Sequence, residues 1–148
     1  MGLDMYLERE TFIGHDKKSL LILEYPGVDP VRVREIIEEA GYWRKANHIH
    51  GWFVRNVQDG KDDCGRHYVS EDQRKELLNL CKRIVGEGQS YHSIDGSLAS
   101  EELPVMKGFF FGFSEPGEWY FDSLLETIKF LEPTIGDDGA SYYYHSSW

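Results

Sequence analysis

A chain of 148 residues with 41% hydrophobic and 28% charged side chains is long enough to bury its own core, and this balance excludes an intrinsically disordered protein. The net charge of −10 repels phosphates, so nonspecific binding of nucleic acid or an anionic membrane by the whole surface is excluded; a local basic pocket or a basic partner remains compatible with it. No apolar run approaches the ~20 residues of a membrane span, and residues 1–6 are too short and too acidic for a secretory signal. A soluble intracellular protein is expected, with Cys64 and Cys81 as reduced thiols.

The chain opens with Leu3, Met5 and Leu7 alternating with Asp4, Tyr6 and Glu8, the period-2 pattern of a half-buried strand. SLLILEY (19–25) reads as another strand, ended by Pro26 and Gly27. Asp29 before Pro30 joins an N-cap carboxylate to a proline at the first helical position. A short helix is expected there, with Val33, Ile36, Ile37 and Ala40 as its apolar stripe and Gly41 as its stop. A second helix is expected over about 42–57. At 100° per residue it gathers Trp43, Ala46, His50, Phe53, Val54 and Val57 on one face, with Asn47 at the edge. His48 and Trp52 fall opposite, where Trp52 either packs under long loops or forms part of a binding surface.

A third helix opens at the capping box of Ser70 and Gln73 and buries Leu77, Leu80, Cys81 and Ile84. Gly86 and Gly88 end it, and the polar run to Leu103 reads as a long loop. VMKGFFFGF (105–113) reads as a central strand, with Gly108 and Gly112 marking bulges or close backbone approach. A fourth helix near 120–131 carries Phe121, Leu124, Leu125, Ile128 and Leu131 and stops at Pro133. SYYYHSSW closes the chain as a last strand. Strands at both ends with helices between them imply a single α+β domain, an antiparallel or mixed sheet packed with about four helices.

Potential chemistry concentrates in residues 41–65, and three constellations arise there. The first is a metal site: His50, Asp62, Asp63, Cys64 and His67 are all possible zinc ligands, and the C-x-x-H spacing lets Cys64 and His67 reach one ion. No second pair accompanies them, and DGKDDCG reads equally as an acidic turn. The second is a thiol nucleophile, Cys64 activated by His50 or His67, against which Asp62 and Asp63 would raise the thiol pKa. The third is a pocket for a planar or nucleotide-like ligand. Arg44, Lys45 and Arg55 offer positive donors, Asn47, Asn56 and Gln58 offer amides, and the aromatic fraction of 14% offers rings for stacking, Trp52 among them. Those rings are equally the core and rim of a dense α+β domain. Neither a Walker A nor a G-x-G-x-x-G motif occurs, so no standard phosphate loop is claimed, and no cofactor is expected.

Four blocks, MGLDMYL at the start, GYWRKANHIHGWFVRNVQDGKDDCG, GFFFGFSEPGEWYF and the closing YYYHSSW, together resemble a family of small uncharacterised proteins encoded by bacteriophages and prophages. The likeness spans nearly the whole chain. It transfers a setting, the cytoplasm of an infected bacterium, and no mechanism; a small residue is associated with the place of His48. In that setting small accessory proteins act on the host, and one class blocks immunity by binding an effector or sequestering its nucleotide signal. The third constellation fits that class, so the leading expectation is a non-enzymatic protein that sequesters a nucleotide-derived ligand, with Arg44, Asn47, Trp52, Arg55, Asn56 and Gln58 as the candidate contacts. A homo-oligomer would suit that role. The alternatives are an acidic inhibitor that docks on a host defence protein or nuclease, and a metal- or Cys64-dependent hydrolase.

Overall fold

A computed structural model describes residues 2–14 and 25–148. The strand expected over 19–25 lies outside the described residues except for Tyr25, which is exposed. The described chain forms one antiparallel four-stranded sheet with helices packed on it, as an α+β fold requires. Strand β1 (Asp4–Phe12) turns Met5 and Leu7 into the core, as its alternation predicts. It lies between β2 (Glu35–Arg44) and β4 (Ser141–Ser147), and the short β3 (His67–Tyr68) completes the order β2-β1-β4-β3.

The helix expected after Asp29 is not formed. Asp29 does cap, accepting from the Val31 amide at 3.1 Å, but the turn it starts is a single 3-10 turn, Pro30–Arg32. The chain then enters β2. Ile36, Ile37 and Ala40 fit a helical stripe by spacing, yet Ile36 and Ile37 pair with Thr11 and Glu10 of β1, and the strand buries Gly41 and Trp43. Here tertiary pairing overrides a local signal. Register slips between Leu7 and Glu8, which leaves Ala40 as an extra residue in β2. Gly41 is therefore no helix stop: a Cβ there would meet the Phe130 ring and Cβ at 3.0 Å.

The second helix is shorter than its periodicity suggests. Tyr42, Trp43 and Arg44 belong to β2, Lys45 takes a left-handed φ of 58°, and α1 runs Asn47–Asn56. All of its residues from Asn47 to Val54 are buried, so the face carrying His48 and Trp52 is as dry as the face carrying His50 and Phe53. Helix α2 (Glu71–Val85) has the predicted capping box, with Gln73 N to Ser70 Oγ at 3.1 Å and Ser70 N to Gln73 Oε1 at 2.9 Å. Cys81 is a buried core residue.

Two further expectations fail. The stretch read as a long loop before Leu103 contains a 3-10 turn, Tyr91–Ser93, and helix α3 (Gly96–Glu102), capped by Asp95 through the Leu98 amide at 3.0 Å. The segment 105–113, read as a central strand, is irregular. Gly112 has φ 93°, and a Cβ on Gly108 would lie 2.5 Å from the Phe111 ring; a chain folded back this tightly cannot extend into a ladder. The central strand is β4 instead, bringing Tyr142 and Tyr144 into the core. Helix α4 (Glu118–Leu131) packs on β2 and α2, and the Trp43 indole donates to Thr127 Oγ1 at 2.9 Å.

Candidate functional site

The last turn of α1 is where that buried helix reaches solvent. Trp52, Arg55 and Asn56, at helical spacings i, i+3 and i+4, form one wall of a groove of about 440 Å³. Glu76, Asn79, Leu80 and Arg83 of α2 form the second wall, and Glu101 and Glu102 at the end of α3 close it. Trp52 is only 2% exposed, edge-on to Phe53, so it supplies an apolar floor and not an open stacking platform.

Arg55 is the unusual cation of the groove. A Cβ on Gly51 would fall 3.0 Å from its Nη1 and 3.2 Å from Met106 Cβ, so the guanidinium lies over a glycine that leaves room for it. Burial lowers its pKa, and no carboxylate of the described residues pairs with it. An exposed arginine without a counter-ion among the described residues is free to take an incoming anion. Asn56 donates to the Trp52 carbonyl at 2.8 Å, which leaves its side-chain oxygen as the free acceptor. The two arginines face three carboxylates, so the groove matches a ligand of low negative charge with several N–H donors better than a polyphosphate.

The other three expected ligand residues lie apart from the groove. Asn47 is buried and donates to the carbonyls of Phe111 at 3.0 Å and Phe113 at 2.9 Å, pinning the aromatic loop to α1. Gln58, also buried, donates to the Lys61 carbonyl at 2.8 Å and shapes the turn after α1. Arg44 is exposed at the end of β2, beside Gly2. Glu76, Asn79, Arg83, Glu101 and Glu102 were missed, because polar positions on the outer faces of α2 and α3 look like ordinary solvated surface.

The five expected metal ligands divide into two pairs and a lone cysteine. His50, fully buried, meets Asp62 Oδ2 through Nε2 at 3.0 Å and the Tyr144 hydroxyl through Nδ1 at 2.7 Å, while the Trp148 indole donates to Asp62 Oδ1 at 3.1 Å. Burial lowers the His50 pKa against the opposing pull of Asp62, and pushes the Tyr144 hydroxyl well up. The neutral ring with Nε2–H toward Asp62 and Nδ1 accepting from Tyr144 satisfies every partner in this chain. His67 meets Asp63 Oδ1 at 2.9 Å, and that carboxylate also accepts from the Gly65 amide at 2.8 Å. Cys64 between them is exposed, with φ 55°. Among the described residues no three His, Cys, Asp or Glu side chains gather to hold a metal ion. Nor is any described helix long and apolar enough to cross a membrane.

No family model, curated protein or solved structure matches the chain.

Proposed function

We propose that the protein is a non-enzymatic accessory protein of phage origin that binds a small nucleotide-derived host signal in the groove between α1, α2 and α3, sequestering it from bacterial defence. The observation that supports this reading is Arg55, exposed at the groove and without a counter-ion among the described residues, standing with Arg83 and the Asn79 amide beside the apolar floor of Trp52. Arg55 and Arg83 would take a phosphate. Glu76, Glu101 and Glu102 would accept from the amino and ring N–H groups of a purine, and the charge balance favours a nucleoside monophosphate or a cyclic dinucleotide over a triphosphate. Binding, not turnover, is favoured because the histidine–carboxylate pairs already have their partners in the fold.

The test is calorimetric titration with a panel of nucleoside monophosphates, cyclic dinucleotides and nucleoside triphosphates. Saturable binding of a mono- or cyclic dinucleotide that weakens at least about tenfold in Arg55→Ala, the loss of one charge-assisted contact, supports the reading. Binding to none of the panel, or binding indifferent to Arg55 and Arg83, contradicts it.

A further inference from the structure

The groove between α1, α2 and α3 has two unlike ends. Gln73, in the first turn of α2, donates from Nε2 to the Asn56 carbonyl at 2.7 Å, which sets the last residue of α1 beside the start of α2. Glu76 and Asn79 follow on the same face of α2 at spacings of three, so they stand at this end with Asn56. Both arginines are carried away from it. Arg55 folds back one turn, its Nη1 over Gly51 beside Met106, and Arg83 lies two turns beyond Glu76, about 10 Å along the helix. That length is comparable to the span from base edge to phosphate of an extended nucleotide. The buried Trp52 and Leu80 supply the apolar floor.

The two ends offer a ligand different chemistry. Arg55 and Arg83 only donate. At the other end the Glu76 carboxylate only accepts, the Asn56 amide spends its nitrogen on the Trp52 carbonyl at 2.8 Å and presents Oδ1, and Asn79 can do either. Glu76, Asn79 and Arg83 are exposed, and no hydrogen bond or ion pair of the described residues occupies them. An acceptor-rich edge of this kind separates the two purines. Guanine presents two adjacent donors, N1–H and the N2 amino group, which the two oxygens of one carboxylate can take together while Asn79 donates to O6. Adenine presents a single amino group beside the N1 lone pair, which a carboxylate repels. We propose that the groove selects guanine over adenine, with the Glu76 carboxylate reading the N1–H and N2 amino edge and the arginine end taking the phosphate. This selectivity rests on the nucleotide reading of the groove and adds to it the base and the residue that reads it.

Calorimetric titration with GMP, IMP and AMP, and with the cyclic dinucleotides of guanine and of adenine, tests it. Guanine ligands are expected to bind at least about tenfold tighter than their adenine counterparts, the scale of one bidentate base contact. IMP, which lacks the N2 amino group, should fall between GMP and AMP. Glu76→Gln, at an exposed position without a partner, should fold like the parent and bring the two bases close to parity. Arg83→Ala should weaken guanine and adenine ligands alike and keep their ratio. Glu102→Gln, which removes the same charge from the α3 wall, should also keep it. Equal binding of the two bases, a preference for adenine, or a guanine preference that survives Glu76→Gln or is lost equally in Glu102→Gln would overturn the selectivity and leave the groove's nucleotide reading in place. Binding of none of these ligands would remove both.

Discussion

His48 lies flat against Tyr120, ring centroids 4.0 Å apart and 23° from parallel, with neither ring nitrogen hydrogen-bonded. The residue is fully buried, and burial pushes its pKa down to about 3. The Tyr120 hydroxyl is turned away to the Leu103 carbonyl at 2.8 Å. A histidine in this state acts as an aromatic packing element that leaves two polar atoms unsatisfied.

His48→Phe should therefore stabilise the fold at neutral pH, by about 1–3 kcal/mol if the ring is accommodated, since an unsatisfied buried polar group costs that much. The pH dependence has a fixed sign. The unfolded ring takes a proton below its ordinary value of 6.5 while the folded ring refuses one until about 3, so stability falls as pH drops through that interval. Urea denaturation at pH 7 and pH 5 should show a larger gain for His48→Phe at the lower pH.

Asn47 should prove structural. Its two donated bonds hold the carbonyls of Phe111 and Phe113, and with them a loop whose Phe109 is 94% exposed. Asn47→Ala is expected to destabilise by about 1–2 kcal/mol, one buried and one half-buried hydrogen bond at roughly 1 kcal/mol each, partly offset by removing the buried Asn47 Oδ1 that has no partner. Hydrogen exchange of residues 105–113 should accelerate in the variant.

Asp137 links three elements, accepting from Arg9 Nε at 2.6 Å and from the Tyr142 hydroxyl at 2.7 Å. The Arg9 guanidinium holds its carboxyl down at about 2. That stabilisation is complete above the ordinary value of 3.8 and is lost as pH falls toward 2. Asp137→Asn should lower the stability at pH 7 and approach the parent near pH 2, as read by denaturant midpoints across that range.

In the neutral Nε2–H tautomer of His50, the Tyr144 hydroxyl is the proton donor to Nδ1 in a fully buried contact. Tyr144→Phe keeps the ring stacked on Phe53 at 3.9 Å and removes only that donor. A loss of about 1–2 kcal/mol is expected, with an upfield or downfield change in the His50 ring resonances that follows the lost bond. Unchanged His50 resonances would show that the pair is not formed in solution.

Much of this was legible in the chain, wherever a local rule acts alone. The Leu3, Met5 and Leu7 alternation, the Ser70 and Gln73 box and the burial of Cys81 are each written within a few residues. The segment after Asp29 was not legible, because Ile36, Ile37 and Ala40 suit a helix by spacing and a strand by pairing, and β1, far away in sequence, decides. The aromatic run 105–113 misled for the opposite reason: its β-like composition is overruled by two glycine turns and by Asn47. At the site, Trp52, Arg55 and Asn56 were visible as a cluster, but their counterparts on α2 and α3 become relevant only when the helices meet. The polar chain from Tyr144 through His50 to Asp62 had its His50 and Asp62 end in the sequence; its Tyr144 end comes from β4.

Native mass spectrometry of protein freshly purified from bacterial cytoplasm, parent beside Arg55→Ala with Arg83→Ala, bears most directly on the groove. A retained small molecule of nucleotide mass on the parent, absent from the double variant, is the predicted result. A parent spectrum without such a species, even after the nucleotide panel is added, or the same species on both proteins, would contradict it.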